Sequence, residues 1–268
     1  MVEIAVFLGI FGAAMGSFID AVTWRLHTKR NFVTGRSECE HCHHKLAAVD
    51  LIPIVSWLML GGKCRYCRKP ISALVPATEI TMAALFVLSY IYWPLGYESW
   101  QGLALLGFWL TYLVMLGVLF VYDLRWLLLP DVIVLPLVVL GFIDAGIRTS
   151  LVPGATVADY ASHVVLGVAA MAGIYWVLYV VSKGKWVGFG DIKLAVFMGA
   201  VLGWQKTLMV LMLANVIGLL IVLPGLVTGK LNAKSRVPFG PFMIVAFVLV
   251  GLFGDALVEW YVQTFILV

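Results

Sequence analysis

Acidic groups within or beside long apolar runs are costly to keep there, so they stand out as functional candidates. Two aspartates in this sequence have that setting. Asp123 closes one apolar run and is followed by Leu124-Arg125-Trp126-Leu127-Leu128-Leu129-Pro130-Asp131, which opens the next. Asp191 ends the tetrapeptide Gly188-Phe189-Gly190-Asp191 and begins another run. Two carboxylates brought together can share one proton. One is then ionised and able to draw a proton from water, while the other is neutral and able to donate to a carbonyl oxygen. Peptide hydrolysis without a covalent intermediate needs that pair. The glycines flanking Phe189 would let a substrate backbone approach closely. The alternative is that each aspartate only caps a helix, and for Asp131, at a helix start, capping is the preferred reading.

A second constellation is made of cysteines. Cys39-Glu40-His41-Cys42 and Cys64-Arg65-Tyr66-Cys67 are two C-x-x-C pairs separated by residues 43–63. Each pair can present two thiolates from one tight turn, and two such turns complete a tetrahedral four-thiolate zinc site. Gly61 and Gly62 precede the second pair and supply the backbone freedom a knuckle needs, while Lys63, Arg65, Arg68 and Lys69 offset the thiolate charge. His41, His43 and His44 could substitute as ligands, although four cysteines already saturate the site. Such a closed site has no position for water, so it serves folding and not catalysis. Reducible thiols or a pair of disulfides are the other reading, and placement in the cytoplasm argues against disulfides.

These residues must be positioned by membrane-spanning helices. Of the 268 residues, 63% are hydrophobic and 12% charged, against roughly a quarter charged in a soluble domain. Such a chain needs lipid around most of it. The expected fold is all-α and polytopic, with about eight spans near 4–24, 74–95, 102–122, 127–147, 160–182, 190–204, 207–228 and 239–267, each near the roughly 20 residues a span requires. The first run carries Glu3 ahead of it and its basic residues behind, the reverse of a secretory signal, and reads as a retained span. With the cysteine segment in the cytoplasm, alternation puts Arg125, Lys183, Lys185, Lys193, Lys230, Lys234 and Arg236 at the same side, and of the 18 Lys and Arg only Arg148 and Lys206 fall outside. This satisfies the positive-inside rule and places Asp123 and Asp191 at similar depth near the cytoplasmic boundary. Glu98 and Asp159 lie on the outer side, with Asp144 near it. Tyr90, Tyr92, Trp93, Tyr97 and Trp100 read as an interfacial aromatic belt. His163 reads as a neutral histidine bonded to a neighbouring helix.

Taken together, Gly16-Ser17-Phe18-Ile19-Asp20, the cysteine pairs, Gly61-Gly62-Lys63-Cys64, the stretch from Asp123 to Asp131, Gly188-Phe189-Gly190-Asp191 and Pro238-Phe239-Gly240-Pro241 closely resemble, in order and spacing, the bacterial type IV prepilin peptidases. The resemblance spans nearly the whole chain. It implies a membrane aspartic peptidase of the GxGD class in the inner (cytoplasmic) membrane, with its active site facing the cytoplasm. It would cut leaders from prepilins and pseudopilins and methylate the new N-terminus with S-adenosylmethionine. The resemblance makes Asp123 and Asp191 the catalytic pair and Cys39, Cys42, Cys64 and Cys67 the zinc ligands. It associates Gly62, Lys63 and Glu79 with methyl transfer. It also implies a first span over 1–25, a cytoplasmic knuckle and methyltransferase-associated segment over 26–72 and a peptidase domain over 73–268. Archaeal preflagellin peptidases resemble only the later part. The family usually has Asn where this chain has Asp20, an acid that could add charge at the inner mouth of the first span or pair with Arg25. The expected partners are prepilin or pseudopilin substrates and membrane lipid, with no nucleic acid. A proton-coupled transporter would also use intramembrane aspartates, but it would hold them at the midplane and has no need of the cysteine segment. Peptidase activity without methyl transfer is the nearer alternative.

Overall fold

The structure is a computed structural model that describes residues 2–31, 35–230, 232 and 237–265. Lys234 and Arg236, both used in the charge argument, lie outside the described residues. The helices are α1 (Val2–His27), α2 (Val55–Met59), α3 (Leu74–Ile91), α4 (Trp100–Trp126), α5 (Asp131–Ser150), α6 (Val157–Val168), α7 (Ile174–Ser182), α8 (Phe189–Val227) and α9 (Gly240–Phe265). A short 3₁₀ turn, Ala48–Leu51, precedes α2, and a π-helical segment, Ala169–Gly173, joins α6 to α7. No strand occurs among the described residues, so the all-α expectation holds. The α6, π and α7 pieces form one continuous run, and seven helices among the described residues are long and apolar enough to cross a membrane. The chain is a multi-pass membrane protein.

Eight spans were expected, and the difference lies in α8. It has 39 residues and is broken at Gly203, whose φ of 72° and ψ of 174° lie outside the helical region. Only glycine takes that conformation without strain. Beyond it, Lys206 pairs with Asp255 at 2.7 Å and Gly218 faces the Phe242 ring. The 204–227 arm therefore runs antiparallel to α9. Before it, Phe197 packs on Phe247, while Gly190 and Gly240 both close on Leu129. The 189–202 arm therefore runs parallel to α9. The two arms run in opposite directions, and Thr207 Oγ1 reaches back to Met198 O at 3.5 Å. In a straight helix that separation would be about 13 Å. Expected spans six and seven are thus the two arms of one hairpin.

The chain forms two compact units: 1–93 with 110–121, and 94–109 with 122–268. In the first, α1 lies against α3. A Cβ on Gly16 would come within 2.5 Å of Glu79 Cα, the close backbone approach that small residues permit between helices in lipid. In the second, a Cβ on Gly167 would come within 2.1 Å of Gly199 O, so α6 and the first arm of α8 meet backbone to backbone. His163 completes this crossing through Nε2 and Ala200 O at 3.2 Å, the interhelical bond expected for it. The proposed aromatic belt is only partly right. Tyr92, Tyr97 and Trp100 are exposed, but Trp93 is buried and belongs to the packing.

Candidate active site and metal centre

The second unit brings Asp123 and Asp191 to one end of its helices. Asp123 sits in the last turn of α4, which Leu127 ends in the left-handed conformation at φ 56°, donating its N–H to Asp123 O at 2.9 Å. Pro130 then precedes α5 with φ −68° and biases Leu129 toward an extended backbone. The tight 127–130 turn wedges the Leu129 side chain between the starts of α8 and α9, where it meets both Gly190 and Gly240. The glycine side of each helix start faces this wedge. A Cβ on Gly190 would lie 3.0 Å from Leu129 Cβ, and one on Gly240 would lie 2.7 Å from Asp123 Oδ2.

Each carboxylate is held by the beginning of a helix. Asp123, which is buried, accepts the backbone N–H of Gly240 at the start of α9. Asp191 accepts the Gly188 N–H at 3.1 Å at the start of α8. Helix N-termini carry unpaired N–H groups and a partial positive charge, so both carboxylates sit where negative charge is tolerated despite the apolar surroundings. The arrangement holds two carboxylates fixed in orientation, near enough for the charge of Asp123 to act on Asp191. Asp131 is not the cap of α5: the N-cap is Pro130, and Asp131, in the first turn, pairs with Lys193 at 2.7 Å. Lys193 also lies over the Phe189 ring at 4.9 Å, which ties the α5 start to the glycine tetrapeptide. Sequence reasoning did not pick out Tyr175. Its side chain is buried beside Phe239 at a ring-centroid distance of 6.1 Å, and Asp191 acts electrostatically on its hydroxyl.

The first unit holds the cysteines. The four Sγ atoms of Cys39, Cys42, Cys64 and Cys67 all lie within 4.8 Å of one another, and Cys39 Sγ is 3.9 Å from Cys67 Sγ. A tetrahedral zinc with bonds near 2.3 Å spaces its sulfurs by about 3.8 Å, and the four side chains fit that ion. The two turns are geometric copies. Cys39 O accepts from His43 N and Cys39 N donates to His44 O, while Cys64 O accepts from Arg68 N and Cys64 N donates to Lys69 O. His43 and Arg68 share the left-handed conformation, with φ of 55° and 60°. The outer pairs Leu46 N to Ser37 O and Ile71 N to Gly62 O repeat the match. Burial works to raise the buried thiols and prevails at Cys39, pushed up to about 11, whereas at Cys64 the backbone N–H groups of Cys67 and Tyr66 outweigh it and hold the group down to about 7, the direction that favours a thiolate. Asp50 braces the second turn through Arg65 Nε at 2.6 Å, Tyr66 Oη at 3.3 Å and Ala47 N at 3.1 Å. Burial works against its ionisation, but Arg65, Ala47 and Tyr66 prevail and keep it below the usual carboxylate range.

Gly62 sits at the base of the second turn with φ 67°, and a Cβ there would lie 2.8 Å from the Trp57 ring. Lys63 follows it in the bridge to Pro70. Glu79 is buried in α3, where Oε2 accepts the Ile54 N–H at 2.6 Å and Ser17 donates to the same carboxylate. Ile54 itself has φ 63°. Glu79 therefore pins the segment between the two cysteine turns onto the α1–α3 pair. Asp20 accepts a hydrogen bond from Thr78 Oγ1, a partner the sequence did not suggest.

A family model described as the bacterial peptidase A24 N-terminal domain matches residues 10–93, and one described as the type IV leader peptidase family matches residues 110–223. The chain is 34% identical over 238 residues to the prepilin leader peptidase/N-methyltransferase of Aeromonas hydrophila, covering 88% of this chain and 78% of that protein. It is 32% identical over 281 residues to the protein of that name from Pseudomonas aeruginosa, covering 95% and 92%, and 28% identical over 288 residues to that of Legionella pneumophila, covering 95% and 93%. No solved structure shows a significant match to the chain.

Proposed function

The chain belongs to the type IV leader peptidase family, and from that premise we propose that it removes the leader from prepilins and pseudopilins with Asp123 and Asp191 and then methylates the exposed N-terminus. The observation that carries this reading is the seating of the two carboxylates on the N–H groups of Gly240 and Gly188, at one end of the second unit. The ionised member of the pair takes a proton from water as the oxygen bonds to the scissile carbonyl carbon. The neutral member donates a hydrogen bond to the carbonyl oxygen as the carbon–oxygen π pair moves onto it. The C–N bond then breaks, the amine nitrogen takes a proton from the pair, and acid and amine leave. Two carboxylates that share one proton would titrate as a unit, so the reading gives the roles to the pair.

The same reading places this end of the molecule at the cytoplasmic face of the inner membrane, supported by the charge asymmetry of the loops. A prepilin has a basic leader followed by an apolar helix. Its helix would lie in the bilayer and its leader in the cytoplasm, bringing the scissile bond to the depth of the pair. Residues 73–268 would carry cleavage. Residues 26–72 would hold a structural zinc on Cys39, Cys42, Cys64 and Cys67, in support of methyl transfer. Gly62, Lys63 and Glu79 are proposed to serve that second reaction, to which S-adenosylmethionine would supply an electrophilic methyl group. A buried acid such as Glu79 suits the positive charge of a sulfonium. The test is to incubate purified protein with a prepilin, with and without S-adenosylmethionine, and weigh the products. Leader loss in both arms, and one added methyl only with the donor, is expected, together with about one zinc per chain by metal analysis. No cleavage would overturn the peptidase reading and favour a transporter, and cleavage without methylation would confine the function to the aspartates.

A further inference from the structure

The Tyr175 hydroxyl has no role in the chemistry so far, yet it is placed as if it had one. The side chain is 4% exposed, and its oxygen is buried with no hydrogen-bond partner among the described residues. A buried hydroxyl without a partner is destabilising, and a phenylalanine would fill the same space without that cost. Its surroundings are those of the aspartate pair. Asp191 acts electrostatically on the hydroxyl, and the ring packs edge-on against Phe239, the residue before Gly240, whose N–H holds Asp123. The backbone is also adapted to aim it. Gly167, Met171 and Tyr175 are all buried and four apart. In a regular α-helix each such step drifts by about 40°, so the row would turn away from its neighbours by Tyr175. The wider π turn at Ala169–Gly173 offsets that drift, and π segments of this kind are frequent at functional sites.

We propose that Tyr175 is a further catalytic residue of the peptidase reaction, its hydroxyl donating a hydrogen bond to the scissile carbonyl oxygen and to the negative charge that develops there. This rests on the aspartate-pair reading and deepens it. Tyr175 keeps its proton throughout. As water adds and the carbonyl π pair moves to oxygen, that oxygen is held by the neutral aspartate and by Tyr175 together, and when the C–N bond breaks the pair returns to form the new carboxyl group. The missing partner of the hydroxyl is then the substrate itself, and the donor is oriented in advance, which is what makes such groups effective.

The test compares wild type, Tyr175→Phe and Asp191→Asn for prepilin cleavage kinetics and for thermal unfolding in detergent. Tyr175→Phe should unfold at the wild-type temperature or above, bind prepilin with KM within about twofold, and cleave with kcat lowered roughly 10²-fold, the usual consequence of losing one such donor. Asp191→Asn should be inactive. Wild-type kcat in Tyr175→Phe beside an inactive Asp191→Asn would overturn the role of Tyr175 and leave the aspartate reading standing, as would a kcat loss matched by a fall in unfolding temperature. Activity in Asp191→Asn would overturn the aspartate reading itself. Should Tyr175→Phe fail to accumulate, fluorotyrosine at position 175 replaces it: a more acidic phenol in the same shape should alter kcat and leave unfolding unchanged, and an unaltered kcat would overturn the proposal.

Discussion

At the scale of single residues, the site depends on backbone groups as much as on side chains. Asp123 is oriented by the N–H of Gly240, and Gly240 has no room for a side chain, since a Cβ would lie 2.7 Å from Asp123 Oδ2. Gly240→Ala should therefore push the carboxylate off its donor. Displacements near 1 Å commonly cost about 10²-fold in rate, so kcat for prepilin cleavage should fall by one to two orders of magnitude with the protein still inserted in the membrane. An unchanged kcat would show that Asp123 does not depend on this contact. The two aspartates were legible in the sequence because acids beside apolar runs need a reason to be there. Gly240 was visible only as part of a tetrapeptide, because its N–H meets Asp123 through the approach of two helices distant in sequence. Tyr175 was not legible at all. Tyrosines are common in spanning helices, and the inward aim of this one depends on a π turn that hydrophobic periodicity does not reveal.

At the scale of elements, the helix starts and breaks do the positioning. The turn from α4 to α5 carries Leu129 into the gap between the starts of α8 and α9, and the hairpin at Gly203 returns the second arm of α8 alongside α9. Gly203 has a conformation that L-residues avoid at a cost of about 1–3 kcal/mol, and its Cβ would lie 2.7 Å from the His163 ring. Gly203→Ala should lower stability by at least that amount, measurable as reduced thermal unfolding temperature in detergent, and cleavage should fall only in proportion to the folded fraction. A wild-type unfolding temperature would mean that the hairpin is not constrained at this residue. Hydrophobic runs gave the order of the apolar segments and a split close to the observed break at Gly203, because a break in apolar content marks a turn. They did not give the ends of the helices. Trp100–Trp126 and Asp131–Ser150 differ from the expected 102–122 and 127–147 because capping and the Leu127 conformation, not hydropathy, decide where a helix stops. The cysteine turns were legible in full from spacing. Their fastening through Asp50 and Glu79 was not, since both acids act across the fold.

At the scale of the whole molecule, each unit contains a polar constellation held in a largely apolar framework. The first has four cysteines and the buried Glu79 near the α1–α3 pair, and the second has Asp123, Asp191 and Tyr175 at the converging starts and ends of its helices. A substrate that is itself half membrane helix suits such a protein, because the bilayer fixes the height at which it is presented. The most direct test of the account follows prepilin mass over time in liposomes containing wild type, Asp123→Asn or Asp191→Asn, with S-adenosylmethionine present throughout. The account predicts rapid leader loss and methylation with wild type. With either variant it predicts retained leader, and hence no methyl increment, although both variants remain membrane-inserted and keep the zinc content of wild type that is proposed for the cysteine site. Leader loss at the wild-type rate in either variant would contradict it.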